Sequence, residues 1–404
     1  MTATTRTTCC IAGGGPAGVV LGYLLARAGV EVLVLEKHAD FLRDFRGDTI
    51  HPSTAQLMDE LGLGERFAAL PLRSSATIGL VTDDGRYTVA DFRRTPGRHT
   101  LGFLPQWDFL NFMTEQGRRY DGFEVRMRAE VVDLLRSHGR VTGVRGRDEH
   151  GELFDVTADL VVAADGRDSR VRSAADLELV SYGAPIDVLW FRIGRDADDP
   201  DTAFGRLSTG NLLVLIDRGD SWQVGYLIPK DGLATLRERG LEAFRRRIAE
   251  LAPFLGERTA QIASWDDVKL LRVQINRLRR WWRPGLLCIG DAAHAMSPVG
   301  GVGINLAVQD AVAAARILAE PLRNGRLSDA HLARVQRRRM VPTAVTQRVQ
   351  RVVQDWLLTR VVSGDVSGRA PLALRVLDRV PALQALPAWV IGHGVLPEHA
   401  PPAR

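Results

Sequence analysis

Apolar runs of strand length and stretches with helical spacing alternate along the first third of the chain. Residues 7–12 form an apolar strand, 16–28 a helix and 31–35 a second strand, which together predict one βαβ unit. Residues 53–61 and 107–120 read as helices. Segments 125–135, 141–147 and 153–156 read as a strand meander, after which 160–164 returns to the parallel sheet. From about 176 to 267 the period changes to alternating strands at 187–193, 212–216 and 222–228, followed by a helix over 233–251, so a second, antiparallel layer is expected. A buried strand at 286–289 precedes a long helix that opens near Gly303 and runs to about Leu322. A helical tail over about 328–396 is expected to be broken at Pro342, Pro371, Pro381 and Pro387.

The length of 404 residues suits two closely packed domains or one domain with a large insertion, and 45% hydrophobic with 25% charged residues is the balance of a globular chain. No run of about 18 apolar residues occurs and the N-terminal residues 1–8 are polar, so neither a spanning helix nor a signal peptide is expected and a cytoplasmic address follows by default. Cys9, Cys10 and Cys288 sit in apolar strands and read as core; adjacent cysteines point to opposite faces, so no metal site is expected. The net charge is +5, and the basic residues are almost all arginine, since only Lys37, Lys230 and Lys269 are lysines. Arg334, Arg337, Arg338, Arg339, Arg348 and Arg351 lie at helical spacing without interleaved aromatics, which favours a solvated helix face over nucleic-acid binding. Positive potential of this kind draws in anionic partners, such as a reduced nicotinamide dinucleotide.

Three segments carry candidate chemistry. Gly13-Gly14-Gly15-Pro16-Ala17-Gly18 follows the first strand and opens the first helix, the context in which G-x-G-x-x-G binds a dinucleotide. Gly13 permits the turn, Gly15 lets backbone approach a pyrophosphate, and Gly18 lets helix pack on strand. Glu36 ends the second strand, where its carboxylate accepts from the adenosine ribose hydroxyls, with Lys37 beside it. The second segment runs from Ala164 through Asp165, Gly166, Ser169 and Arg172. The third runs from Gly290 through Asp291, His294, Pro298, Gly300, Gly301, Gly303, Ile304 and Asn305 to Asp310, after a strand and before a long helix. Asp291 is placed for ribityl hydroxyls, and the backbone N–H groups of residues 300–305 at a helix N-terminus suit the negative charge of a reduced flavin.

Together these segments resemble the class A flavoprotein monooxygenases, the para-hydroxybenzoate hydroxylase family, over roughly residues 7–322. The resemblance implies an α/β fold: a Rossmann-like (GR2-type) FAD-binding domain, an interleaved antiparallel-sheet substrate domain and a C-terminal helical tail. The expected division is 1–75, 100–175 and 268–325 for FAD, 76–99 and 176–267 for substrate, and 326–404 for the helical segment. It further implies non-covalent FAD, NADPH or NADH as a transient donor without its own Rossmann domain, and oxygen transfer through a C4a-hydroperoxyflavin to an electron-rich aromatic or polyketide-like small molecule. Arg46, in Phe45-Arg46-Gly47-Asp48, matches the arginine that the family places beside flavin and pyrophosphate; Gln106 falls where members carry an Arg or Gln on the ribityl or phosphate portion; Val131 falls at a backbone contact to adenine.

Catalysis is assigned to Arg46, His51 and Pro298, with a structural His-Pro turn as the alternative for His51. Asp48 is expected to pair with an arginine and His294 to fix the Asp291 loop. Trp190, Leu213, Leu215, Gln223 and Tyr226 lie along strands that could roof the pocket, although Gln223 and Tyr226 cannot both point inward on a regular strand. A halogenase is disfavoured, since Trp222 to Pro229 lacks the second tryptophan of Trp-x-Trp-x-Ile-Pro. A reductase of the geranylgeranyl reductase type and a non-catalytic flavin-binding subunit are the other readings. The tail residues Trp356, Leu357, Leu358, Trp389, Val390 and Ile391 are expected to pack over the core rather than touch lipid, in a monomer or homodimer.

Overall fold

Apolar, β-branched runs at residues 7–12, 32–35 and 160–163 are buried on both faces, the pattern that forces a parallel sheet between two covering layers. The computed structural model describes residues 4–42, 49–200, 203–362 and 369–401, with the side chains of 356–362 outside that description. Its parallel strands run in the order Leu286–Cys288, Leu153–Ala163, Thr4–Ala12, Val32–Leu35 and Phe123–Arg126, and Trp282–Arg283 adds an antiparallel edge. Cys9 pairs with Leu160 and Cys10 with Val161; alternation sends Cys9 into one core and Cys10 into the other.

Two strand boundaries differ from the sequence reading. The meander strand and the return strand are one element, Leu153–Ala163, whose polar Thr157 and Asp159 interrupt the apolar run without interrupting pairing. The expected strand at 125–135 is two, Phe123–Arg126 in the parallel sheet and Glu130–Ser137 in the meander, separated where Arg128 takes φ of 56°. The expected helix at 233–251 is likewise two, Leu233–Glu238 and Leu241–Leu251, because Gly240 turns the chain with φ of 88°.

The second sheet has the order Lys269–Leu271, Ile186–Gly194, Ser221–Pro229, Asn211–Asp217, Phe204–Ser208, Thr77–Thr82, Gly85–Asp91, antiparallel except where Phe204–Ser208 meets Thr77–Thr82. Helix Leu241–Leu251 covers one face through Phe244, Ile248 and Leu251.

Pro342 does not break the tail. Helix Asp329–Val362 runs through it, because its inner face is anchored on both sides of the proline by Arg339 and Gln347, and such tertiary bonds outweigh a missing helix bond. The sequence reading also understated one helix. The stretch Val299–Arg323 is long and apolar enough to cross a bilayer, yet 78% of its apolar window is buried, since Gly303–Arg323 packs between helix Pro16–Arg27 and the long helix.

Candidate active site

The fingerprint turn divides its glycines by what surrounds them. A Cβ on Gly13 would lie 2.4 Å from the Ala164 carbonyl oxygen, and one on Gly18 would lie 2.0 Å from the Gly13 carbonyl oxygen, so both are required by packing. A Cβ on Gly15, Gly166 or Gly303 would meet nothing within 4 Å. Packing leaves the space at each of them open, and Gly15 and Gly166, on turns that Gly13 brings against Ala164 and Asp165, form a cradle that a phosphate-bearing cofactor fits. Pro16 and Ala17 begin the helix behind Gly15, whose N-terminus faces the cradle with no side-chain cap.

Glu36 is 7% exposed and accepts from the N–H groups of Gly14 (2.9 Å) and His38 (3.0 Å). These bonds orient the carboxylate and leave lone pairs for ribose hydroxyls. Lys37 is exposed beside it. The segment leading to Val131 lies against the same strand end, since Arg128 N–H donates to the His38 carbonyl and Ala129 N–H to that of Glu36, each at 2.9 Å. Gln106 opens helix Gln106–Gly117 and is half-buried. Arg46 and Asp48 lie outside the described residues.

The second and third segments, far apart in sequence, are cross-linked. Arg167 Nε donates to Asp291 at 3.0 Å, while buried Arg172 donates to the Ala292 carbonyl at 3.1 Å and to its own loop at Arg167 O. Asp165 does not face the cradle. Its carboxylate accepts from the Ser169 hydroxyl (2.5 Å) and Val171 N–H (3.2 Å), and burial pushes it above its ordinary pKa, so it anchors the following helix and leaves the open space to Gly166.

Behind the third segment lies a buried charge cluster. Asp310 accepts from Gly290 N–H (3.0 Å), His294 Nε2 (2.6 Å) and Arg339 Nε (2.9 Å). Burial pushes its carboxyl up, and the His294 and Arg339 partners outweigh that, holding it below the ordinary range. Arg339, read from sequence as part of a solvated face, is 1% exposed; its charge is compensated by Asp310 and by Glu398 from the C-terminal segment. Arg334, Arg337, Arg338, Arg348 and Arg351 are exposed as expected.

The loop Pro298 to Asn305 is held from two sides. Three buried glutamines of the long helix brace its approach, and one of them reaches the loop itself: Gln347 donates to the Ala295 carbonyl (3.0 Å), Gln354 to the Ser297 hydroxyl (2.7 Å), and Gln350 to the carbonyls of Ser297 (2.9 Å) and, within the loop, Val299 (2.8 Å). Sequence reasoning missed them, though Gln336, Gln347, Gln350 and Gln354 repeat at helical spacing. On the other side His51 is fully buried, with Nδ1 2.7 Å from the Ile391 carbonyl and Nε2 3.0 Å from that of Gly301. Burial lowers its pKa, and both ring nitrogens face backbone, so neither meets a substrate proton. The geometry therefore corrects the acid-base assignment of His51. Asn305 is turned similarly inward, its side-chain oxygen accepting from Ser53 (2.8 Å) and Thr54 (3.1 Å), so that only its backbone N–H is offered to the loop. Ile304 is buried, and Pro298, Gly301 and Gly303 are half-buried.

The five pocket candidates divide between opposite faces of the second sheet. Leu213, Leu215 and Tyr226 are buried beneath helix Leu241–Leu251, and the Tyr226 hydroxyl donates to Asn211, so these belong to the rear core. Trp190 and Gln223 lie on the other face, as strand pairing of Trp190 with Gly225 and of Arg192 with Gln223 requires. Gln223 accepts from Arg218 at 2.9 Å. Trp190 joins Val214, Ile216, Phe103 and Ile391 in an apolar wall.

A family model described as FAD binding domain matches residues 6–349. A 6-methylpretetramide 4-monooxygenase from Streptomyces rimosus is 35% identical over 391 residues, 94% of this chain and 91% of that protein. The chain belongs to the class A flavoprotein monooxygenases. Solved members share the fold: the p-nitrophenol 4-monooxygenase of Pseudomonas putida DLL-E4 superposes with a TM-score of 0.76 at 21% identity, covering 96% of this chain and 94% of its own. An anhydrotetracycline hydroxylase from Streptomyces rimosus gives 0.73 at 22% identity, covering 96% of this chain and 76% of its own. This flavoprotein monooxygenase uses FAD, with NAD(P)H as the electron donor typical of the family.

Proposed function

We propose that this monooxygenase hydroxylates a fused-ring, polyketide-derived phenol. The observation that carries the reading is the relative named for 6-methylpretetramide, 35% identical over 94% of the chain. The apolar wall of Trp190, Val214, Ile216 and Ile391 supports it, being suited to a flat, extended ring system. The indole N–H of Trp190 is buried with no acceptor among the described residues, and is the donor we assign to a substrate oxygen.

In this reading the pyrophosphate rests on Gly15 and the helix begun by Pro16 and Ala17, with Gly166 opposite, and Glu36 and Lys37 take the ribose. The Val131 segment meets adenine, Gln106 and Asp291 serve the ribityl chain, and Arg46 is assigned beside flavin and pyrophosphate. Gly301, Gly303, Ile304 and Asn305 offer backbone N–H groups to the ring, and Pro298 flanks the substrate. Bound FAD supplies the two-electron activation of oxygen that no side chain can. The chain's own share is orientation and exclusion of water: the apolar wall keeps the phenol dry, and the clamped loop fixes its distance from the ring. The FAD, substrate and helical regions follow the expected division, 1–75, 100–175 and 268–325; 76–99 and 176–267; and 326–404, corrected at one boundary because strand Lys269–Leu271 pairs with Ile186–Gly194 and so belongs to the substrate sheet, in a cytoplasmic enzyme, monomeric or homodimeric.

The test is a panel of single-ring and fused-ring phenols assayed for acceleration of NAD(P)H-dependent flavin bleaching, followed by product analysis under labelled oxygen. Fused-ring phenols should accelerate bleaching and gain one labelled atom. Incorporation into single-ring phenols only, with hydrogen peroxide as the sole product elsewhere, rejects the substrate class.

A further inference from the structure

The loop that follows Pro298 presents peptide groups whose directions are set from outside. In a trans peptide the carbonyl of one residue and the N–H of the next point in opposite directions, and no cis peptide occurs among the described residues. Gln350 Nε2 holds the Val299 carbonyl at 2.8 Å, which turns the Gly300 N–H away from the long helix. We assign the single proton of neutral His51 to Nε2, which donates to the Gly301 carbonyl at 3.0 Å and so turns the Val302 N–H away from His51. Among the described residues the N–H groups of Gly300, Val302, Gly303, Ile304 and Asn305 find no protein acceptor.

We propose that Gln350 and His51 are positioning residues for the flavin ring, clamping the two peptide planes on either side of the Gly300-Gly301 turn so that their N–H groups point at the ring's anionic edge. The proposal rests on the reading that this loop seats the ring. Both glycines hold positive φ, 78° and 64°, so the turn has wide conformational freedom in the absence of outside bonds. Gln350 makes a third bond, accepting from Ser297 N–H at 3.2 Å, and is 4% exposed, so its amide has one orientation that satisfies all three partners. The clamp acts on charge: reduction of FAD places negative charge on that edge, and preoriented N–H groups favour the reduced form over the oxidised one.

Five variants, all loaded with FAD, test it through the ratio of dissociation constants for oxidised and reduced FAD, read also as the midpoint potential of the bound flavin. Gln350→Met, with the conservative Gln350→Glu as a second version, and His51→Asn should each weaken reduced FAD about 10-fold relative to oxidised FAD, a potential about 30 mV more negative. Gln336→Met, on the same helix but bonded to Arg279 and Trp281, should leave the ratio unmoved. Val302→Pro, at a φ of −75° that proline accepts, deletes one of the N–H groups itself and should lower the potential if the ring sits there. A shift in Val302→Pro with wild-type values for both Gln350 variants overturns the clamp. Wild-type values in all of them overturn the ring seat, and the clamp with it.

Discussion

Gly15 separates binding from folding at the scale of one residue. Its φ is −76°, ordinary for alanine, and a Cβ there meets no protein atom, so Gly15→Ala should leave the melting temperature of the apoprotein within a degree or two. FAD titration by fluorescence should show at least a 10-fold weaker complex, since the methyl occupies the pyrophosphate cradle. His51 predicts a pH dependence. Burial lowers its pKa in the folded state below the ordinary value of about 6.5, so the unfolded chain binds the proton more readily. Its contribution is present above that value and is lost as pH falls toward 5. Melting temperatures measured from pH 7 to 5 should decline, with a shallower slope in His51→Asn. Asp310→Asn removes the central counter-charge of Arg339, both groups being buried, and should cost about 3–5 kcal/mol in denaturant unfolding.

At the scale of elements, the second sheet gives adjacent residues opposite tasks. Leu213→Ala opens a cavity in the rear core and should cost about 2–5 kcal/mol with KM for the phenol nearly unchanged. Val214→Ala, one position along, should leave stability within about 1 kcal/mol and raise KM, because Val214 belongs to the wall shared with Trp190 and Ile391. Equal effects on KM from the two variants would reject that assignment of faces. Leu212 to Ile216 is apolar at every position, so the sequence marked a strand without marking its inward face, because apolar residues cover both faces of this sheet. Pro342 teaches a similar lesson. Its local preference signals a break, whereas the side-chain bonds that hold the helix through it come from a strand end and a loop distant in sequence.

Across the whole molecule, the site is assembled from pieces that have no common local signal. Arg167 and Arg172 tie the second segment to the third, Glu398 reaches Arg338 and Arg339, and the Ile391 carbonyl reaches His51. A cofactor that spans these pieces stabilises them together. At FAD one hundred times its dissociation constant, the holoprotein should gain about 2.7 kcal/mol over the apoprotein, measurable as a thermal shift.

The first βαβ unit and its glycine turn were fully determined by local sequence, because a strand, a turn that excludes side chains and an apolar helix leave little choice of geometry. The third segment, Gly290 to Asp310, was legible for the same reason. The roles of His51, Asn305, Arg339 and Gln350 were decided only by tertiary structure. Each is a polar group buried by neighbours from remote parts of the chain, and what a buried hydrogen-bonding group does depends on the partner that replaces its water, which no local window of sequence contains.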